Sequence, residues 1–456
     1  MRFSARIRRF ASSLYTFNML SYLPIVVYVP ALVLSQVTGF PIHAITVSVS
    51  VVCIFYTTIG GIKAVVWTDA LQTVVMIGSV VAIIIIGTAN SGGIKHVIEE
   101  CNNGDLFDID YSMDLTVKDT VWSLLIASTF YWVNFIAVGQ SSVQKCLALP
   151  TFKEIKKAFF IFAIGWSILL LGSVYIGLLI YAKYNKCDPL LTKKIQVADQ
   201  ILPYYILDVI SKVPGLGGLF IASIFSGGIS TLSAAMNALS CTIYNDFVAV
   251  YMPPEYPQKK VGNILKLIVV LVGIICTVLV FIIEQLGSIL PLVVSLPSIS
   301  AGPLIGLFLV GMLVPSVNSK GALYGSVSAV IVLILMVFGS FYYKMQKFIT
   351  FETKPTSTES CSTTFNVTSM FHPKETDWKP FYLFRISFYY YNLIGLCIVF
   401  IIGWIVSYFS KADQKQVEKK LISPFMHWAM LENLLPPTYS AVNENLELTQ
   451  DATVNE

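Results

Sequence analysis

The sequence predicts an all-α, multi-pass membrane protein. Three observations carry this: few charges, a series of apolar runs each long enough to cross a bilayer, and basic residues concentrated in alternate loops. Of 456 residues, 55% are hydrophobic and 12% are charged, where soluble domains carry about 25% charged residues. Runs of about 20 apolar residues place spans at 11–36, 41–60, 66–88, 119–138, 156–182, 216–238, 262–284, 287–314, 318–342 and 384–409. In hydrocarbon every backbone N–H and C=O must be bonded within its own segment, which makes each run a helix. Residues 1–410 are read as one transmembrane domain and 411–456 as a cytoplasmic tail.

The first run follows MRFSARIRRF, which holds four arginines. It is too long for a cleaved signal sequence and lacks a clear small-residue cleavage site, so it reads as a retained span. The arginines, then Lys63, then Lys145, Lys153, Lys156 and Lys157, then Lys259 and Lys260, then Lys320 occupy alternate loops. Those loops face the cytoplasm by the positive-inside rule. The opposite set, 89–118, 183–215 and 343–383, contains the sequon Asn366-Val-Thr368, which makes Asn366 a candidate glycosylation site outside the cell. Loop 183–215 carries five lysines against this trend, but long loops obey the rule weakly.

Of eight cysteines, Cys53, Cys241, Cys276 and Cys397 lie in or at the ends of spans and read as small core residues. Cys101, Cys187 and Cys361 fall in loops on the oxidising side. Three thiols leave room for one disulfide, and Cys187 with Cys361 is the favoured pair.

The third run opens on an acid, in GGIKAVVWTDALQTVVM. A carboxylate inside a span is costly and usually functional. At a helix start, however, Asp69 could equally complement the helix dipole for about 0.3 to 1 kcal/mol, with Thr68 as cap. Gln72 and Thr73 add oxygens to the same face, which suits an ion path and ordinary packing alike. The sixth run, GLGGLFIASIFSGGISTLSAAMNALSCT, is built from small and hydroxylated residues. Close helix packing accounts for any single one. Yet Gly227, Ser230 and Thr231 recur at i, i+3 and i+4, where hydroxyl and carbonyl oxygens could hold a hard cation such as sodium.

These stretches, with CDPLLTKKI and AGPLIGLFLVGMLVPSVNSKGAL, resemble the solute/sodium symporter family over about residues 1–410. GGIKAVVWTD looks like the branch of sodium-coupled monocarboxylate, multivitamin and iodide transporters. The resemblance implies an inverted-repeat (LeuT-like) sodium symporter bundle with ions and substrate bound near the midplane. It implies sodium as the coupling ion, hydroxyl ligands from Ser230 and Thr231 beside the Gly227 carbonyl, and Asp69 on the intracellular cation path. It also implies three further N-terminal helices in family members before the point where this sequence starts, which would leave half of the sodium site here. The expected function is sodium-coupled symport of a small organic anion, a monocarboxylate or vitamin carboxylate, across the plasma membrane. The alternative is a truncated, non-transporting subunit that associates with full-length carriers.

TFYWVNFIAVGQSSVQK would be the helix facing substrate, with Trp132, Asn134 and Gln140 as candidate contacts, because a small anion needs donors beside apolar walls. The family's NQSQVQR stands here as GQSSVQK, and Pro297 is an extra proline; both leave the substrate open. GPLIG at 302–306 and GALYG at 321–325 read as close-packing glycine pairs. No GxxxxGK[ST], HExxH or GxSxG occurs, so neither an enzyme nor a nucleic-acid partner is expected. In the acidic tail, Pro436, Pro437 and Tyr439 form a PPxY sequence of the kind that WW domains bind.

Overall fold

The computed structural model describes residues 2–210, 213, 215–253, 257–284, 289–346, 348–349, 356–358, 361, 380–410, 417 and 421–427; these contain helices and no strand. Asn366, Pro436, Pro437 and Tyr439 lie outside the described residues.

Helix α1 runs from Ala5 to Thr38 and ends on Gly39, whose φ of 75° lets its N–H close onto the Ser35 carbonyl. Then follow α2 (Ile42–Asn90), α3 (Ile94–Asn103), α4 (Ser128–Val133) with wider π turns on either side, α5 (Gln140–Leu147) and α6 (Phe152–Tyr184). Thr151 caps α6 by accepting a hydrogen bond from the Glu154 N–H. A short α7 (Ile201–Tyr205) leads to α8 (Leu216–Ile243), α9 (Gln258–Ile283), α10 (Ile289–Leu313), α11 (Ser319–Met345), a one-turn α12 (Tyr382–Arg385) and α13 (Tyr391–Phe409). Among the described residues nine helical stretches are long and apolar enough to span a membrane, and ten when the bent pair Ser123–Val138 and Gln140–Leu147 counts as one more.

The second and third expected spans are joined without a loop, since helical bonding is continuous over the 49 residues of α2. At 1.5 Å per residue a straight helix of that length would run about 74 Å, more than twice the hydrocarbon thickness. Its contacts show a reversal instead. Ile54 packs near Met236 and Tyr56 donates to the Ile229 carbonyl. Beyond the Gly60-Gly61 pair, Asp69 meets Ser230, Met76 lies against Gly227, and Ile83 shares a cluster with Phe220. The first half thus reaches toward the C-terminal part of α8 and the second half runs back toward its start. They are two antiparallel spans, Ile42–Gly60 and Val66–Asn90.

The loops read as cytoplasmic gather at one end, where Arg2 donates to carbonyls of Val314, Pro315 and Val317 and the Ser423 N–H reaches Met312. At the other end the Cys187 and Cys361 sulfurs are bonded, with Cα atoms 5.1 Å apart. Ser357 pairs there with the Asn185 carbonyl and the Asp188 N–H. The Cys101 thiol is buried and donates to the Leu178 carbonyl, and burial pushes its pKa up.

The main core joins α1, α8, α9, α10, α11 and α13. The expected close packing at the glycine pairs is visible as contact with α13. A Cβ on Gly395 would stand 2.9 Å from the Gly302 Cα, and one on Gly325 2.9 Å from the Val399 carbonyl oxygen.

Candidate sodium and substrate site

A cavity of about 300 Å³ lies between α1, the bent segment 134–145, α6 and α8. Its floor is the middle of α8. Thr231 donates its hydroxyl proton to the Gly227 carbonyl at 2.9 Å, and Ser230 donates to Asp69 Oδ1 at 2.6 Å. With both protons committed, both hydroxyls have lone pairs left for a cation. The sequence-predicted trio is therefore brought together, although Gly227 itself stands behind Thr231 and does not line the cavity.

Asp69 has a second partner, the Lys145 ammonium at 3.2 Å from Oδ2. The carboxylate side chain is 19% exposed and the lysine 51%. Lys145 comes from the last turn of α5 and also lines the cavity, so one acid links α2, α5 and α8. The competing helix-dipole reading of Asp69 accounts for neither contact. Thr73 turns back to the Asp69 carbonyl at 2.8 Å, and the buried Gln72 Oε1 accepts no hydrogen bond among the described residues.

The bent segment shapes the wall opposite α8. A side chain on Gly139 would come within 2.3 Å of the Phe135 carbonyl oxygen, so this tight turn accepts glycine alone. The chain bends there by 43°. The bend sets Asn134 and Gln140 into the cavity, and the Asn134 Oδ1 is buried with no partner among the described residues. An unpaired amide oxygen in an apolar wall suits a ligand that brings a donor or a cation. Trp132 is placed elsewhere. Two residues along a helix turn the side chain by about 200°, and its indole faces an open outer groove with Leu124 and Val133, 5.1 Å from the Trp166 ring.

Sequence reasoning missed the α1 wall, made by Tyr15, Asn18, Met19 and Tyr22. Their i, i+3, i+4 and i+7 spacing is one helix face, a signal that was present and unused. Asn18 is held by donating to the Pro297 carbonyl at 2.9 Å, so the α10 backbone braces the cavity. A second cavity of about 350 Å³ shares Tyr15, Gln140 and Leu304 with the first and opens toward Arg8, Ser12 and Asp246. Arg8 Nε lies 3.0 Å from Asp246 Oδ1, and Ser12 donates to the other carboxylate oxygen. In sequence these residues lie over 230 positions apart, and nothing local connects them.

The chain is similar to known proteins over most of its length. The chain is 34% identical to sodium-coupled monocarboxylate transporter 2 of Mus musculus, over 99% of this chain and 73% of that protein. It is 29% identical to sodium-coupled monocarboxylate transporter 1 of Homo sapiens over 92% and 71%. To the sodium-dependent multivitamin transporter of Oryctolagus cuniculus it is 31% identical over 89% and 65%. The solved structure of a Na+-coupled sialic acid symporter in a substrate-bound, outward-open state shares the fold, with a TM-score of 0.68 at 22% identity, over 91% of this chain and 76% of that one. The profile of the sodium:solute symporter family matches residues 1–329, and the chain belongs to that family, a multi-pass membrane protein of LeuT-like fold and not an enzyme, with sodium as its coupling ion.

Proposed function

We propose that this sodium-coupled symporter carries a small organic anion, a monocarboxylate or a vitamin carboxylate, at the plasma membrane. The observation that carries the reading is the joint placement of Ser230, Thr231, Asn134, Gln140 and Lys145 around one cavity of about 300 Å³, a volume at the lower end for small-molecule sites. Sodium takes the oxygens of Ser230 and Thr231 with the Gly227 carbonyl, and Lys145 with the two amides faces the carboxylate. Relatives named for monocarboxylates and for vitamins support the same class.

Asp69 serves the cytoplasmic cation path. With sodium at the hydroxyls, its field competes with Lys145 for the same carboxylate, so arrival of the ion loosens the link between α5 and α2. Arg8 and Asp246 line the next cavity along that path. The test is uptake of lactate, nicotinate and biotin with and without sodium, in wild type and in Ser230→Ala and Thr231→Ala at matched surface level. Apparent sodium affinity should fall in both variants, because a hard cation loses a ligand oxygen. Equal sodium titrations overturn the site. No sodium-dependent uptake by wild type favours the non-transporting subunit instead. At the tail, we propose a WW-domain ligand at Pro436, Pro437 and Tyr439, tested by loss of WW-domain binding in Tyr439→Ala, and glycosylation of Asn366, tested by glycosidase.

A further inference from the structure

A wide groove of about 820 Å³ opens at the cytoplasmic end, between the first turns of α1 and of α11. Arg2, Arg6 and Arg9 contribute from the α1 side, Lys320 and Tyr324 from α11, and among the described residues no acidic one lines it. The floor is built: the Arg2 guanidinium donates to three carbonyls in the turn after α10, at 2.7 to 3.3 Å. Arg6, Arg9 and Lys320 stand exposed above it, and Tyr324 is 58% exposed on the rim. Both helices pass directly from this groove into their apolar spans, which sets the cations at headgroup depth.

We infer that this groove binds the phosphorylated headgroup of an anionic lipid of the cytoplasmic leaflet. Three exposed cations around one depression match a polyanionic headgroup better than a single phosphodiester, and basic clusters at this depth recognise such lipids. The Tyr324 ring at the rim supplies the amphipathic surface that aromatic residues offer at a membrane interface. Continuity with the spans favours a lipid over a soluble phosphate, because acyl chains can lie along α1 and α11 while the headgroup occupies the groove.

The test uses the full chain, purified in detergent and titrated under native mass spectrometry. Three probes are added separately: phosphatidylinositol bisphosphate, phosphatidylcholine and soluble inositol trisphosphate. The bisphosphate lipid should bind at least about tenfold more tightly than either other probe, and the combined Arg6→Gln, Arg9→Gln, Lys320→Gln variant should weaken it by about a hundredfold, as three surface cations imply. Binding of phosphatidylcholine should not change. If the triple variant does not fold, Arg6→Gln alone should weaken the lipid by about fivefold, and Arg6→Lys should restore it. Unchanged lipid affinity in the folded variants overturns the site. Equal affinity for inositol trisphosphate overturns the membrane source.

Discussion

Helices α10 and α6 are both apolar enough to cross a bilayer, and α6 is the more apolar, yet 78% of the central stretch of α10 is buried and 11% of that of α6. The difference lies in side-chain size. α10 reads ILPLVVSLPSISAGPLIGLFLVGML, with serines, glycines and prolines at its contacts, whereas α6 carries FFIFAIGWSILLL toward the outside. Lipid is as apolar as leucine, so hydrophobicity carries a helix into the membrane and small residues bring it against its neighbours. The cavity sits on the seam between these regimes, with Leu304 of α10 on one wall and Phe162 of α6 on another. A fixed block of α10, α11 and α13 facing thinly packed spans is the arrangement that rocking of one bundle against another requires.

The comparison breaks most visibly if the block is pried apart. Gly395→Leu puts a branched side chain where a Cβ alone would already meet Gly302 Cα at 2.9 Å and Leu333 Cδ1 at 2.8 Å. Neither backbone can yield without moving α10 or α13, so a loss of about 3 kcal/mol is expected, read as a large drop in melting temperature and folded yield. Normal folding of this variant would mean that the block is not tightly packed.

At the seam, Asp69→Asn keeps the shape and removes the charge that holds Lys145 and accepts from Ser230. With Lys145 half exposed, water replaces much of what is lost, so the stability change is expected near 1 kcal/mol. Sodium dependence should shift much more than stability. A double-mutant cycle with Lys145→Gln separates the two, and additive effects on sodium affinity would dissolve the proposed competition.

The number of spans, their order and the two hydroxyls of α8 were legible because apolar length and hydroxyl density are local properties. The reversal inside α2 was legible only as a boundary near Gly60-Gly61, since helical bonding runs through it. The break at Gly139 was legible only as the end of the span at 138; the 43° bend into α5 and the approach to the Phe135 carbonyl are products of the fold. Residue type makes Trp132 a substrate candidate, but type does not fix a helix face, and the indole lies in the outer groove beside Trp166. Lys145 read as a loop charge; its tie to Asp69, 76 residues away, is a tertiary fact.

On the thinly packed side, a polar clamp at the outer end of α6 does part of the work that core contacts do elsewhere. Glu100 of α3 accepts from Lys186 Nζ and Asn185 Nδ2, each at 2.9 Å. The hydrogen bond from Lys186, then that from Asn185, holds its pKa below the ordinary 4.5. A carboxylate with a depressed folded pKa stabilises fully above its unfolded value and loses that contribution as pH falls through the folded one. Amide exchange in α3 and in the loop after α6 should therefore rise as pH drops below about 4.5, after correction for intrinsic rates. Glu100→Gln should remove this dependence and leave α10 unaffected.

The smallest effect is expected on the outer face of α6 itself. Leu171 is 69% exposed in the fold, whereas Leu333 of α11 is fully buried against the Gly302–Gly395 contact. Truncating Leu333 to alanine leaves a void that the rigid block cannot collapse around, a cost of about 2 to 5 kcal/mol. Truncating Leu171 removes the same number of methyl groups, but acyl chains or detergent close over the gap, so no cavity forms and the change should stay within about 0.5 kcal/mol. Melting of the two alanine variants in one detergent compares them directly. A loss at Leu171 equal to that at Leu333 would show that protein covers this face of α6, and the contrast between the two helices would then reflect a missing contact and not side-chain size.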